Sequence, residues 1–229
     1  MTRQFPLKLE PHPDFAAADF LPSDANKAAL DLVQAWPDWA LPSAAIWGPA
    51  GSGKTHLAHI WAARAEASLI GANDFAAMAL EALPDTPRIA LDFAEDPAPR
   101  PDERKLFHLL NIIRENTGAL LIMSRAPPSR WQIDLPDLAS RLKALPLAEV
   151  SAPDDGLFAA VIAKQFTDRQ LVVDRETVDY IAVRSERSFA AARQVVERLD
   201  QAALASRRPI GKRLAGEVIE ALEAEGSDG

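Results

Sequence analysis

Cysteine is missing from this chain. Disulfides, zinc–thiolate centres and thiol nucleophiles are therefore excluded together. Histidine is scarce, with four in 229 residues, too few for a histidine-rich metal site. Basic residues are outnumbered: 25 Lys and Arg face 33 Asp and Glu, a formal charge of −8. That balance does not suit broad, non-specific binding to nucleic acid or an anionic membrane surface. No apolar run approaches the ~18 residues of a membrane helix. The opening Met1-Thr2-Arg3-Gln4-Phe5-Pro6 lacks the apolar core of a signal peptide, so the expected location is the cytoplasm.

What is present reads as a globular protein. Apolar residues make up 48% and charged residues 25%, and the length suits one large or two small domains. Pro6, Pro11, Pro13 and Pro22 break the first segment into an extended arm. Ser23 reads as the N-cap of a first helix, whose apolar stripe is Ala28, Leu30, Leu32, Val33 and Trp36 and which Pro37 stops. Strand and helix then alternate. Strands are expected at Ser43–Trp47, Ser68–Ile70, Arg88–Phe93, Ala119–Met123 and Leu145–Val150. Helices are expected at Thr55–Glu66, Asp74–Leu83 and Glu103–Asn116, with a short helical turn at Leu138–Leu142. This alternation predicts an α/β fold, a parallel sheet with helices on both sides. Beyond Ser151 only helical periods remain, at about 153–169, 174–185, 188–206 and 211–223. An all-α lid subdomain is expected to follow the αβα domain.

Gly48-Pro49-Ala50-Gly51-Ser52-Gly53-Lys54-Thr55 fits the phosphate-loop pattern GxxxxGK[ST] without a mismatch, between an expected strand and an expected helix. Glycines let the backbone curl so that its N–H groups face phosphate oxygens, and the following helix turns its positive end to the same anion. Lys54 is suited to the β- and γ-phosphates, and the Thr55 hydroxyl to Mg²⁺. Asp92, closing an apolar strand, is the expected second residue of the Mg²⁺ shell. The next position, where many ATPases carry an acid that orients water, holds Phe93; Glu95 and Asp96 come later. A phenyl ring cannot polarise water, so tight binding of ADP or ATP with feeble hydrolysis is expected. Trp47 and Trp131 read as packing residues. The apolar stripes at Leu106–Ile113 and Val195–Leu199 read as ordinary helix faces.

Gly53-Lys54-Thr55-His56-Leu57 with His59 resembles the phosphate-loop helix of the replication initiator DnaA and its relatives. Phe20-Leu21 and Asn26 resemble the segment near the nucleotide base in that family. Leu135-Pro136-Asp137-Leu138-Ala139-Ser140-Arg141-Leu142 resembles most the Hda-type relatives, which inactivate the initiator. The resemblance spans about residues 15 to 224 and implies an AAA+ P-loop NTPase: a clamp-docking arm at 1–14, a nucleotide-binding domain at 15–151 and a helical lid at 152–229. It implies that Arg141 is an arginine finger acting in trans and that Arg187, in Ser185-Glu186-Arg187-Ser188-Phe189, is the lid's nucleotide sensor. His56 joins the expected nucleotide-binding residues, although His56 and His59 also suit core or subunit contacts. At the first sensor the pattern departs, because Ser124 is followed by Arg125 where relatives place an acid. Gln4-Phe5-Pro6-Leu7-Lys8-Leu9 resembles the hexapeptide that docks on the β sliding clamp of DNA polymerase III. The implied partners are DnaA, the clamp and a second copy of the chain, with no sequence-specific DNA binding. The implied role is a regulator that stimulates ATP hydrolysis by DnaA. Two other readings stay open. A DnaC-like helicase-loading ATPase would bind single-stranded DNA, and a P-loop small-molecule kinase would transfer phosphate to an acceptor.

Overall fold

The computed structural model describes residues 20–94 and 101–227. Five strands form one sheet: β1 (Ser43–Trp47), β2 (Ser68–Gly71), β3 (Arg88–Phe93), β4 (Ala119–Ser124) and β5 (Leu147–Glu149). Their spatial order is β2-β3-β4-β1-β5, and every pairing is parallel. Central strands with both faces covered need continuous apolar runs. β4 has one: Leu120 and Ile122 enter one core with Ile89, Leu91, Leu106 and Leu109, while Leu121 and Met123 enter the opposite core with Ile46, Leu57 and Trp61. Successive side chains on a strand point to opposite faces, so one short segment serves two cores.

Helices α1 (Lys27–Gln34) and α2 (Lys54–Ala65) cover one face. Helices α3 (Ala72–Ala77), α4 (Glu103–Glu115) and α5 (Pro136–Ala144) serve the other. Ser23 does not cap α1 directly. It makes a turn in which the Ser23 carbonyl accepts from Asn26 and Lys27, and the helix begins one turn later than expected. Ala29 and Val33 are its buried residues, whereas Ala28, expected in the stripe, faces solvent. The helix expected over 74–83 is also shorter. Met78 and Ala79 take extended backbone, and this break sends Leu80 into the core on a short 3₁₀ turn, Leu80–Ala82. Burying a leucine is worth roughly 1.5–3 kcal/mol, more than the helical propensity of two residues. Conversely, the expected turn at 138–142 is a full helix, with Pro136 in its first turn.

Four helices complete the described chain: α6 (Asp155–Asp168), α7 (Arg175–Arg184), α8 (Phe189–Ser206) and α9 (Lys212–Ser227). They share a third core built on Phe158, Ile162, Phe166, Ile181, Val196 and Leu199. Side chains at their starts satisfy the orphan helix amides. Asp154 accepts from Leu157 N–H, Asp174 from Thr177 N–H and Ser188 from Ala191 N–H. Among the described residues no helix is long and apolar enough to cross a membrane.

Candidate functional site

The site lies at the carboxyl edge of the sheet, where open parallel sheets place their ligands. β1 ends at Trp47 and the chain curls through Gly48–Gly53 into α2. Two glycines make the curl possible. Gly51 has φ +66° and Gly53 has φ +100°, values that other residues adopt only under strain. Both are also crowded from the helical lid. A Cβ on Gly51 would stand 2.6 Å from Ser188 Cβ, and one on Gly53 would stand 2.9 Å from the Phe189 ring. The Phe189 N–H donates to the Gly51 carbonyl at 2.8 Å, so the start of α8 is bonded directly to the loop.

Lys54, the first residue of α2, is only 4% exposed. Its ammonium donates to the carbonyls of Gly48 (2.9 Å) and Pro49 (2.6 Å), with the Ser52 hydroxyl at 3.4 Å. Burial pushes its pKa down to about 8; Asp92 opposes the shift and Arg125 adds to it. A buried cation held by neutral carbonyls is poorly compensated, and anionic oxygens are stronger acceptors for it.

The other expected residues occupy distinct places. Thr55 is exposed beside Lys54. Asp92 is half-buried at the end of β3, and its carboxylate accepts from Ala94 N–H at 2.7 Å. Phe93 points away from this edge into a core, edge-on to Phe75 and Trp131. Ser124 is buried and its hydroxyl donates to the Ala126 carbonyl. Arg125 Nε donates to the Ala94 carbonyl at 2.8 Å. His56 meets Phe20 edge to face, with ring centroids 5.2 Å apart. Asn26 is buried; it accepts from Ser23 N–H and donates to the Leu21 carbonyl, which fixes the segment following Phe20.

The two candidate arginines are set apart. Arg187 directly precedes the Ser188–Phe189 contact with the loop, but its guanidinium pairs with Asp155 at 2.7 Å. Arg141 lies on α5, half-exposed, its guanidinium 4.5 Å above the Phe107 ring of α4. The Glu103 carboxylate, also on α4, accepts from Asp134 N–H and Leu135 N–H and so fixes the start of α5. Gln4, Phe5, Pro6, Leu7, Lys8 and Leu9 lie outside the described residues, as do Glu95 and Asp96.

Sequence reasoning did not find the seats of Ser188 and Phe189 on the loop glycines, the Glu103 staple or the electrostatic reach of Arg125. The motif around Arg187 held the first of these in plain sight, since Ser188 and Phe189 are the residues that follow it.

Among the described residues, no group of three or more His, Asp or Glu side chains forms a metal site by itself. The donor set instead fits a nucleoside polyphosphate with its divalent ion. Lys54 and the start of α2 suit the phosphates, the Thr55 hydroxyl and Asp92 suit the ion, and such an ion neutralises charge at the terminal phosphates when bound.

Comparison with known proteins agrees with this architecture. Domain III of DnaA from Thermotoga maritima superposes with a TM-score of 0.76 at 16% identity, covering 92% of this chain and 97% of that one. AMPPCP-bound DnaA from Aquifex aeolicus gives 0.69 at 19% identity, over 95% of this chain and 71% of that one. The Thermotoga maritima RuvB Holliday junction branch migration motor gives 0.68 at 17% identity, over 90% and 72%. The chain therefore shares the fold of DnaA domain III and RuvB, a parallel sheet flanked by helices and followed by a helical subdomain. No protein-family profile matches the chain. In sequence it is 27% identical over 219 residues to an uncharacterized protein of Haemophilus influenzae, covering 91% of this chain and 94% of that one.

Proposed function

We propose that this chain is a nucleotide-bound AAA+ regulator of replication initiation, which docks on the sliding clamp and stimulates ATP hydrolysis by DnaA through Arg141. The observation that carries the reading is the poorly compensated ammonium of Lys54, buried in a glycine loop that the lid touches through Ser188 and Phe189. A ligand that draws Lys54 out of its own loop alters the surface on which the lid rests. Bound ADP or ATP then acts as a conformational ligand that sets the lid angle rather than as a consumed fuel. Phe93 stands where many ATPases carry a water-orienting acid and Arg125 where relatives place an acid, in keeping with feeble turnover by the chain itself.

Arg141 serves the partner's nucleotide in this reading. A guanidinium placed against charge developing on a γ-phosphate lowers the barrier to transfer. Parking the group over Phe107 keeps it half-exposed at low entropic cost, since stacking restrains the long side chain before the partner arrives.

The tests separate the parts. Purified chain should carry or take up adenine nucleotide, read by chromatography of the denatured protein. Arg141→Ala should leave nucleotide affinity within about twofold and reduce stimulation of DnaA hydrolysis by at least ~100-fold, as loss of an arginine finger does. Equal stimulation by the variant removes the trans role. Deleting residues 1–10 should abolish retention by immobilised clamp while the melting temperature stays unchanged.

A further inference from the structure

We propose that Glu103 is a positioning residue for Arg141. Its carboxylate holds the start of α5, and Phe107, one turn along α4, receives the guanidinium, so the side chain is aimed before a partner arrives. The inference rests on the role proposed for Arg141 above and assigns to α4 the task of presenting it.

The start of α5 is not capped from within. Leu135 stands at its N-cap without a side-chain hydrogen bond, and Pro136, which follows, has no N–H to offer. The cap comes from α4 instead. Glu103 Oε2 accepts from Leu135 N–H at 2.7 Å, and Oε1 accepts from Asp134 N–H at 3.0 Å. α4 does not need this carboxylate for its own cap, because Asp102 accepts from Lys105 N–H there. One carboxylate therefore stands at the positive ends of both helices, where negative charge is favoured.

Spacing joins this cap to the guanidinium. Glu103 and Phe107 are four residues apart and share a face of α4. Arg141 lies six residues beyond Leu135 on α5, and its guanidinium stands 4.5 Å above the Phe107 ring. Leu138 and Leu142 choose which face of α5 enters the core, and Glu103 sets where the helix begins.

The choice of an aromatic seat has a chemical consequence. Among the described residues no carboxylate pairs with Arg141, although Asp137 lies one turn earlier on the same helix. A ring holds a guanidinium by its flat face and leaves the in-plane N–H donors open. A carboxylate in place of Phe107 would occupy them. This seat thus restrains a long side chain without using the donor fork that matches phosphate oxygens.

The test follows ATP hydrolysis by DnaA against rising concentrations of the full chain. Glu103→Ala and Phe107→Leu should each lower the maximal stimulated rate by at least ~10-fold, with the half-saturating concentration unchanged within about twofold, since a misplaced group weakens the transition state and not docking. The melting temperature of Glu103→Ala should fall by no more than about 4 °C. Phe107→Tyr keeps the ring and should restore the rate. In an Arg141→Ala background neither substitution should lower the rate further. A further fall there identifies a merely structural role and overturns the proposal. A raised half-saturating concentration at unchanged maximal rate makes these residues part of a docking face and overturns it too. Wild-type chain that gives no stimulation overturns the role of Arg141 and this inference with it. Stimulation by wild type that Glu103→Ala matches overturns this inference alone. Should Glu103→Ala melt below the assay temperature, Glu103→Gln decides. The Arg141 Nε–H resonance, assigned by its disappearance in Arg141→Lys, should then move part of the way toward its position in Phe107→Leu; an unmoved resonance overturns the proposal.

Discussion

The sheet half and the helical half of this molecule handle charge in opposite ways. In the helical half charged groups stay at the surface and find partners there: Arg208 with Glu217, Lys212 with Glu176, Arg198 with Glu225. Helix starts are capped by Asp154, Asp174 and Ser188, and the core below is apolar. Exposed pairs of this kind add little stability, but none carries a burial cost. The sheet half instead buries an ammonium at Lys54 against neutral carbonyls, with Asp92 favouring its charge and Arg125 opposing it. The helical half pairs its charges at the surface, although Gln165 Oε1 and Ser185 Oγ are buried there without a hydrogen-bond partner; the sheet half buries a charge.

Four substitutions or conditions probe that contrast. The largest effect is expected in the helical core. Phe158→Ala, at a fully buried position, should cost about 3–5 kcal/mol in chemical denaturation. If the two halves are coupled through the Gly51–Phe189 bond, nucleotide affinity falls as well; unaltered affinity in a chain whose lid has melted would separate them.

Lys54→Ala comes next. It should lower ADP and ATP affinity by at least ~100-fold, or about 2.7 kcal/mol, while the nucleotide-free chain melts no earlier than wild type. A marked fall in melting temperature would mean that Lys54 stabilises the fold, contrary to the comparison.

The pH response of Lys54 should carry two opposite signs. The folded chain loses this proton near pH 8, whereas an unfolded chain holds it to the ordinary value of 10.5. Between those values the unfolded state binds more protons, so stability rises with pH. A polyphosphate prefers the protonated ammonium, so affinity should fall over the same window, approaching tenfold per pH unit. Melting curves and titrations from pH 7 to about 9.5 read both trends, and parallel trends would remove Lys54 as their common cause.

The smallest effect is expected at the seam between the halves. Ser188→Ala removes the cap of α8 and should cost about 1 kcal/mol, seen as a modest drop in melting temperature. A disproportionate loss of nucleotide affinity in this variant would show that the lid contact tunes the loop more than it stabilises the helix.

Much of the fold is legible in the order of residues alone. β1, β3 and β4 stand out as continuous apolar runs, because strands covered on both faces have no polar side to show. The phosphate loop is legible because its chemistry is local: glycines, Lys54 and Thr55 must sit at fixed spacing for one curl of backbone to serve one anion. Boundaries are less legible where packing outvotes propensity, as where Leu80 is drawn into the core and cuts α3 short.

The chain's own order of residues thus determined the alternation of strands and helices, the position of the phosphate loop and the acid at the end of β3. Tertiary structure alone decided that Ser188 and Phe189 rest on Gly51 and Gly53, that Glu103 pins the start of α5, and that Arg125 reaches the Ala94 carbonyl. Periodicity and spacing act between residues a few positions apart, whereas these contacts join distant segments. The sheet's strand order, with β4 set between β1 and β3, brings the ends of these strands to one edge.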